Sequence, residues 1–371
     1  MRGEIVWFFA YDVAFEADLS KVRTALAGAP AYRRPGRYRK APENVSLYSP
    51  LALELPECEP PAGGLPEGTR PLGPVRPTVK IFAVGAVSVG VRMSFEAASL
   101  EELAPYRNLT DDPDSPVRRL ARQTAADVVA RAAPGLDRPT DGLDRGETYT
   151  VLCITEADGL ENGTRAWLDF RRSQVAAFLL GEDSAESLSG DQVDETLKLS
   201  YSFTNADLAV VDWDAMLVVD AATSHDELLY VAEVANLQMA ELRAHDEQLD
   251  RAVGRVYDEL ERYRRRPSLF RAPARLAHAL RQETMDLSHM ADEILNLSKY
   301  FGDWYLARIY VGLRSRFHLA EWEAQLERKL KTVNTMYELT SRNATDRKML
   351  MLETLVVLIF VVDIVLVILG K

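Results

Sequence analysis

The side chains of this sequence that could do chemistry are few and widely spaced. There are five histidines: His225, His245, His278, His289 and His318. They form no HExxH pattern, and the chain has no nucleophile elbow and no glycine-rich phosphate loop. The triplet His-Asp-Glu occurs at 225–227 and again at 245–247, and these residue types could bind a metal, although on a helix surface they are usually solvated. We therefore predict no metal, no cofactor, no catalytic residue and no enzyme activity.

The composition of the chain excludes several classes of protein. Cys58 and Cys153 form no CxxC motif and no disulfide framework, which is typical of reduced thiols in a reducing compartment. A net charge of -12 argues against general wrapping of nucleic acid. The apolar N-terminal run contains Glu4 and Asp12, so it is typical of a strand rather than of a signal peptide.

Two further carboxylates, Glu353 and Asp363, lie in the closing apolar run LETLVVLIFVVDIVLVILGK. Residues 349–369 contain 21 positions, which as a helix span about 30 Å, the thickness of the hydrocarbon core of a bilayer. The favourable insertion of the aliphatic residues outweighs the cost of one aspartate. The sequence predicts one C-terminal transmembrane helix.

Basic residues precede this run at Arg342, Arg347 and Lys348, and only two residues follow it. The positive-inside rule then places most of the chain in the cytoplasm, with a single-pass tail anchor in the cell inner (plasma) membrane. A carboxylate within a bilayer usually faces a bundle interior, so Asp363 predicts self-association of the anchor. The alternative is an aspartate tolerated near the far headgroups.

Two basic stretches stand out, AYRRPGRYRK at 31–40 and RYRRRPSLFR at 262–271. Their basic residues include Arg33, Arg34, Arg37, Arg39 and Lys40, then Arg262, Arg264, Arg265 and Arg266. Arginine interleaved with aromatic residues suits contact with RNA or the ribosome, and it equally suits an anionic lipid or a protein partner. The alternative is that the first stretch is a solvated loop and the second a hinge, and that neither binds a partner.

These residues are carried by an α+β chain with three predicted parts. Residues 1–222 predict a mixed α/β head, of the ferredoxin-like kind, with a Pro/Gly-rich insertion at 30–77. Residues 223–347 predict a long-helix coiled-coil stalk, because Leu228, Ala235, Leu242 and Leu249 recur every seven residues. Residues 348–371 form the predicted anchor.

The C-terminal third resembles a known family. FGDWYLARIYVGLRSRFHLAEWE at 301–323 carries an element of Gly302, Asp303 and Arg308, and the closing helix with Glu353 and Asp363 is similar as well. On these motifs the chain resembles the YagE family, which includes the required-for-meiotic-nuclear-division membrane proteins. The resemblance implies membrane-anchored homo-oligomers, some of which support translation, and it supplies no catalytic residues.

Three functions remain open from the sequence. The first is a membrane-anchored, self-associating scaffold or adaptor that tethers a partner such as the translation machinery. The second is an oligomeric membrane pore that uses Glu353 and Asp363. The third is a membrane-tethered enzyme with a dispersed site in the head.

Overall fold

The computed structural model of the chain describes residues 1–27, 50–61, 63, 65, 72–220, 225–265 and 304–369. The strands are β1 (Arg2–Asp12), β2 (Ala14–Ala17), β3 (Leu51–Glu54), β4 (Arg76–Ile81), β5 (Ala86–Glu96), β6 (Leu136–Pro139), β7 (Glu147–Glu156), β8 (Ser200–Tyr201), β9 (Leu208–Val211) and β10 (Ala215–Val219). The helices are α1 (Leu19–Ala25), α2 (Ala104–Arg107), α3 (Pro116–Ala132), α4 (Thr164–Phe170), α5 (Arg172–Leu180), α6 (Gly190–Thr196), α7 (Asp226–Arg265), α8 (Trp304–Arg316) and α9 (Leu319–Leu369).

Eight of these strands form one mixed sheet in the order β3-β4-β5-β1-β7-β10-β9-β8. Neighbouring strands are antiparallel except β7 and β10, which run parallel. β1 lies inside the sheet and pairs with β5 and β7 over almost its whole length. Its apolar run from Ile5 to Tyr11 suits a strand that is covered on both faces.

One face of the sheet carries a continuous apolar core. Ile5, Trp7, Phe9 and Tyr11 alternate along β1 toward this face, as the two-residue period of a strand requires. Helix α3 packs on β1, β4 and β5. It begins where the sequence predicts, because the Ser115 side chain accepts a hydrogen bond from a backbone N–H in the first turn.

The other face of the sheet also carries buried apolar side chains, such as Phe8 and Val218, and polar pairs join it to the first half of α7. Lys80 of β4 pairs with Glu233 of α7, and Asn236 donates a hydrogen bond to the Glu147 carbonyl of β7. The whole span 231–242 of α7 is buried, whereas a coiled-coil seam would bury mainly two positions in seven.

The described chain divides into two compact units, 1–244 with 295–320, and 245–294 with 321–371. The heptad residues Leu228, Ala235 and Leu242 are buried and lie in the first unit, and the division into head, stalk and anchor stays a prediction. Within the second unit, Lys329 of α9 lies 2.7 Å from both Asp246 and Asp250 of α7.

Two expectations about the fold are wrong. The sheet has eight strands in a mixed order, which differs from the β-α-β-β-α-β pattern of ferredoxin-like folds. In addition, no helix among the described residues is long and apolar enough to cross a bilayer.

The predicted transmembrane helix at 348–371 is therefore corrected, together with the tail-anchored topology and the inner-membrane localisation that depended on it. The α+β class and the long C-terminal helices are present in the described residues.

Candidate functional site

A buried cluster of Glu4, Cys153 and His225 lies on the α7 side of the sheet. Glu4 of β1 and Cys153 of β7 are directly opposite each other in the antiparallel register, which places their side chains side by side. His225 immediately precedes α7 and reaches the same point. The strands approach closely here: a Cβ added to Gly3 would lie 1.9 Å from the Cys153 carbonyl oxygen, so a glycine is required beside Glu4.

The Glu4 carboxylate is the centre of a short hydrogen-bonded chain. Its Oε1 lies 2.7 Å from His225 Nε2 and 3.3 Å from Arg92 Nη1. The same Arg92 nitrogen donates to Asp226 Oδ1 at 2.9 Å. Arg92 therefore links β1 to the first residue of α7, and it balances part of the negative charge of the two carboxylates.

Burial raises the pKa of both acids of the cluster, whereas their neighbours shift the two pKa values in opposite directions. Burial raises the pKa of Glu4, but the hydrogen bond from His225 and the Arg92 guanidinium outweigh it, so that the pKa is lowered overall. Burial raises the pKa of Cys153 well above its usual value, and the Glu4 carboxylate adds to this. Cys153 is therefore a neutral thiol, unlike the low-pKa thiolates of catalytic cysteines.

The three side chains have the donor types of a metal site. One ligand atom from each lies within 4.8 Å of the other two. Cys153 and His225 are 1% and 4% exposed. His225 Nδ1 has no hydrogen-bond partner among the described residues, which is unusual because buried polar atoms are normally paired. The cluster is suited to binding a cation and to joining the sheet to α7, and less suited to nucleophilic catalysis.

The C-terminal half of α9 is the second candidate site, because its apolar side chains are exposed in the described chain. Thirteen large apolar side chains between Met349 and Val365 are each at least 45% exposed. We call residues 349–365 the α9 apolar segment. Glu353, predicted as an intramembrane carboxylate, lies in this segment and is exposed. The backbone of Asp363 lies in α9, and its side chain falls outside the described part of the structure.

Only some of the remaining predicted site residues lie within the part of the chain that the structure describes. Arg308 lies on α8, where its guanidinium is 5.4 Å from the ring centre of Tyr201 and 4.7 Å from that of Trp304. Its predicted companions Gly302 and Asp303 lie outside the described residues. The first basic stretch, Arg33, Arg34, Arg37, Arg39 and Lys40, also lies outside them, as does Arg266, and Arg262, Arg264 and Arg265 have described backbone only, at the end of α7.

Sequence reasoning missed Glu4, Arg92 and Cys153 and dismissed His225 as part of a solvated triplet. Glu4 and His225 are 221 positions apart, so no local spacing connects them. The one available signal is Glu4 itself, a charged residue in a strand whose neighbours are almost all apolar. Such a residue needs a buried partner, but the sequence does not say which one.

The N-terminal part of the chain is similar to known proteins. The family model that matches residues 2–226 is described as "Uncharacterized protein MJ0711, N-terminal domain". The Uncharacterized protein MJ0711 of Methanocaldococcus jannaschii is 24% identical over 220 residues, which is 59% of this chain and 65% of the relative, less than two thirds of its length. No solved structure matches the chain. The resemblance to the YagE and meiotic nuclear division family is therefore wrong as an assignment.

Proposed function

We propose that this chain, which belongs over residues 2–226 to the family described as "Uncharacterized protein MJ0711, N-terminal domain", is a self-associating scaffold whose copies join through the α9 apolar segment. The observation that carries the proposal is the exposure of that segment. Contiguous exposed apolar surface of this extent normally marks an interaction site, because leaving it in water is costly.

The distribution of the exposed side chains indicates the size of the assembly. Residues 355–362 are consecutive and apolar, and each is about half exposed or more, so that apolar side chains lie on every face of the helix. A two-stranded seam would cover only one stripe of such a helix. A bundle of three or more copies covers much more of its circumference.

The same distribution favours a second copy over an unrelated partner. A surface that is apolar on all sides is complemented by a surface of equal character. Elsewhere in the described chain the exposed large apolar side chains occur singly or in sequence-separated places, as at Phe170, Phe203 and Tyr257. The α9 segment of another copy is the complementary surface that the chain itself supplies, and closed symmetric assemblies are the usual outcome.

The test is the mass of the full-length protein, measured by light scattering after size exclusion over a range of concentrations. We expect a particle of at least three chains of 41.5 kDa each. The double substitution Val357→Asp/Leu358→Asp places two charges at the centre of the segment, and we expect it to return the protein to the single-chain mass. The matched control Phe170→Asp introduces a charge at another exposed apolar residue and should leave the mass unchanged.

Two outcomes would contradict the proposal. One is a single-chain mass for the unaltered protein at every concentration. The other is an assembly whose mass the double substitution does not alter, since self-association would then depend on another surface. Recovery of the unaltered protein only with added phosphatidylglycerol vesicles, and never as a particle without lipid, would assign the segment to a different occupant.

A further inference from the structure

We propose that Glu4, Cys153 and His225 supply three ligands to one zinc ion, whose fourth ligand is water. Thiolate sulfur, imidazole nitrogen and carboxylate oxygen are the three ligand types that Zn²⁺ takes from proteins, and the thiolate disfavours the hard cations Mg²⁺ and Ca²⁺. The site lies in the first unit and does not depend on the self-association proposed above.

The distances are close to those that coordination requires. Metal–ligand bonds of about 2.0 to 2.3 Å in a tetrahedron place the ligand atoms about 3.5 Å apart. The three ligand atoms here already lie within 4.8 Å of one another, so that a shift of about an ångström closes the site. Side-chain rotation suffices for such a shift, because the backbone of β1 and β7 already fixes Glu4 opposite Cys153.

The hydrogen bonding of His225 is the second observation that points to a cation. Its Nε2 is bonded to Glu4, while its Nδ1 is buried and has no partner among the described residues. Nε2 and Glu4 Oε1 face each other across 2.7 Å, so an ion that replaces the proton between them would be bound by both atoms, and the imidazole proton would then lie on Nδ1. Both Glu4 contacts, to His225 and to Arg92, use Oε1, and Oε2 makes no hydrogen bond within the described residues.

The local charges are consistent with a divalent ion. Binding converts the Cys153 thiol to a thiolate and releases one proton to solvent, as the sulfur–zinc bond forms. Glu4, Asp226 and the Cys153 thiolate then supply three negative charges, Asp220 is a fourth acid close enough to act on Cys153, and Arg92 together with Zn²⁺ supplies three positive charges. The ion therefore offsets most of the negative charge around the thiolate.

The position of the site defines what it would do. β1, β7 and the start of α7 meet there, so that one ion would fix the helix to two central strands of the sheet. This is a structural role, and its readout is metal content and stability rather than turnover.

The first experiment is a titration of chelator-stripped full-length protein with Zn²⁺ against a chromophoric chelator. We expect one ion per chain, and at least a tenfold loss of affinity in Cys153→Ser and in His225→Gln. The matched control is Cys58→Ser, which removes the other cysteine of the chain and should keep the affinity. Unchanged affinity in Cys153→Ser, or less than one ion per chain in the unaltered protein, would overturn the proposal.

The second experiment needs no variant that might fail to fold. Co²⁺ added to the unaltered stripped protein should give the thiolate-to-cobalt charge-transfer absorption, which Zn²⁺ then abolishes by displacement. Each equivalent of bound Zn²⁺ should also release one proton near neutral pH, measured with an indicator dye. The Cys58→Ser protein should behave identically. Absence of the charge-transfer absorption, or binding without proton release, would exclude Cys153 as a ligand.

Discussion

The two faces of the sheet are built on different principles. One face, with Trp7 and Phe9 of β1 on it, is filled by apolar side chains. The opposite face also holds buried apolar residues such as Phe8, but it differs in carrying Glu4, Lys80 and Arg92, which pair with His225 and with charged residues of α7. Both faces are buried, so the contrast lies in how burial is stabilised and not in how much there is.

The difference indicates two kinds of specificity. Apolar packing tolerates many partners of the right size, whereas a buried charge is stable only beside its own counter-charge. The apolar face thus contributes most of the free energy of folding, and the polar face fixes where α7 can lie on the sheet. Substitutions on one face at a time measure these two contributions separately.

The largest effect is expected on the apolar face, from Trp7→Ala. Trp7 is fully buried, and its Nε1 donates a hydrogen bond to the Tyr106 carbonyl at 2.8 Å. Truncation leaves a large cavity and an unpaired carbonyl, so the free energy of unfolding should fall by about 5 kcal/mol. Urea unfolding followed by far-UV circular dichroism measures it.

Trp304→Ala is the control for Trp7→Ala, because Trp304 is a tryptophan with an exposed side chain. Its loss should cost about 1 kcal/mol or less, mainly through the contact with Arg308. Equal losses for the two tryptophans would mean that the apolar face is not the main source of stability.

The polar face should give an effect that depends on whether one partner or both are replaced. Glu233 is almost completely buried against Lys80, whose Nζ also lies 5.2 Å from the Tyr230 ring centre. Lys80→Met leaves an unpaired buried carboxylate and should cost about 3 to 4 kcal/mol. The double variant Lys80→Met/Glu233→Met removes both charges and should recover to within about 1 kcal/mol of the unaltered protein.

This double-mutant cycle decides between two roles for the pair. Recovery in the double variant would show that the pair contributes specificity and little net stability, as a buried ion pair commonly does. A double variant as unstable as the single one would show instead that the polar face is a source of stability comparable to the apolar face.

The same contrast explains how much the sequence could predict. The apolar face follows from local patterns: the run EIVWFFAYD gives β1, and Ser115 followed by Pro116 gives the start of α3. The polar face does not, because Lys80 and Glu233 are 153 positions apart and neither belongs to a motif. Residues 231–242 of α7 are all buried, which the heptad spacing alone does not predict, because a two-stranded seam buries mainly two positions in seven.

Other failures have equally local causes. β3 lies inside the Pro/Gly-rich stretch 30–77 that was predicted to be an irregular insertion, since a four-residue strand is too short to raise its own signal above that composition. The cluster of Glu4, Cys153 and His225 is set by strand register, which the sequence pattern does not specify across a β1–β7 separation of more than 100 residues.

The smallest of these effects concerns two carboxylates on the same side of β1. Glu4 has the cationic partner Arg92 and a lowered pKa. Asp12, eight residues along, is 6% exposed, and its carboxyl has no hydrogen bond or ion pair among the described residues. Burial alone raises the pKa of Asp12 to about 7. Glu4 and Asp12 therefore allow a comparison of the stability of a buried carboxylate that has a cationic partner with that of one that has none among the described residues.

Asp12 should therefore make stability depend on pH in a defined window. Its pKa in the folded protein lies above the ordinary value of 3.8, so the folded state holds the proton more tightly than the unfolded state between about pH 4 and 7. Stability from this residue falls as the pH rises through that window, and it is constant above it. Asp12→Asn should abolish the fall and stabilise the protein at pH 8 by on the order of 2 to 3 kcal/mol, relative to its effect at pH 4. Urea midpoints of both proteins from pH 4 to 8 measure the difference, with the exposed Asp183→Asn as the control that should show none. If the difference between Asp12→Asn and the unaltered protein is the same at every pH, then the Asp12 carboxyl is already paired in solution, and the polar face satisfies both ends of β1 alike.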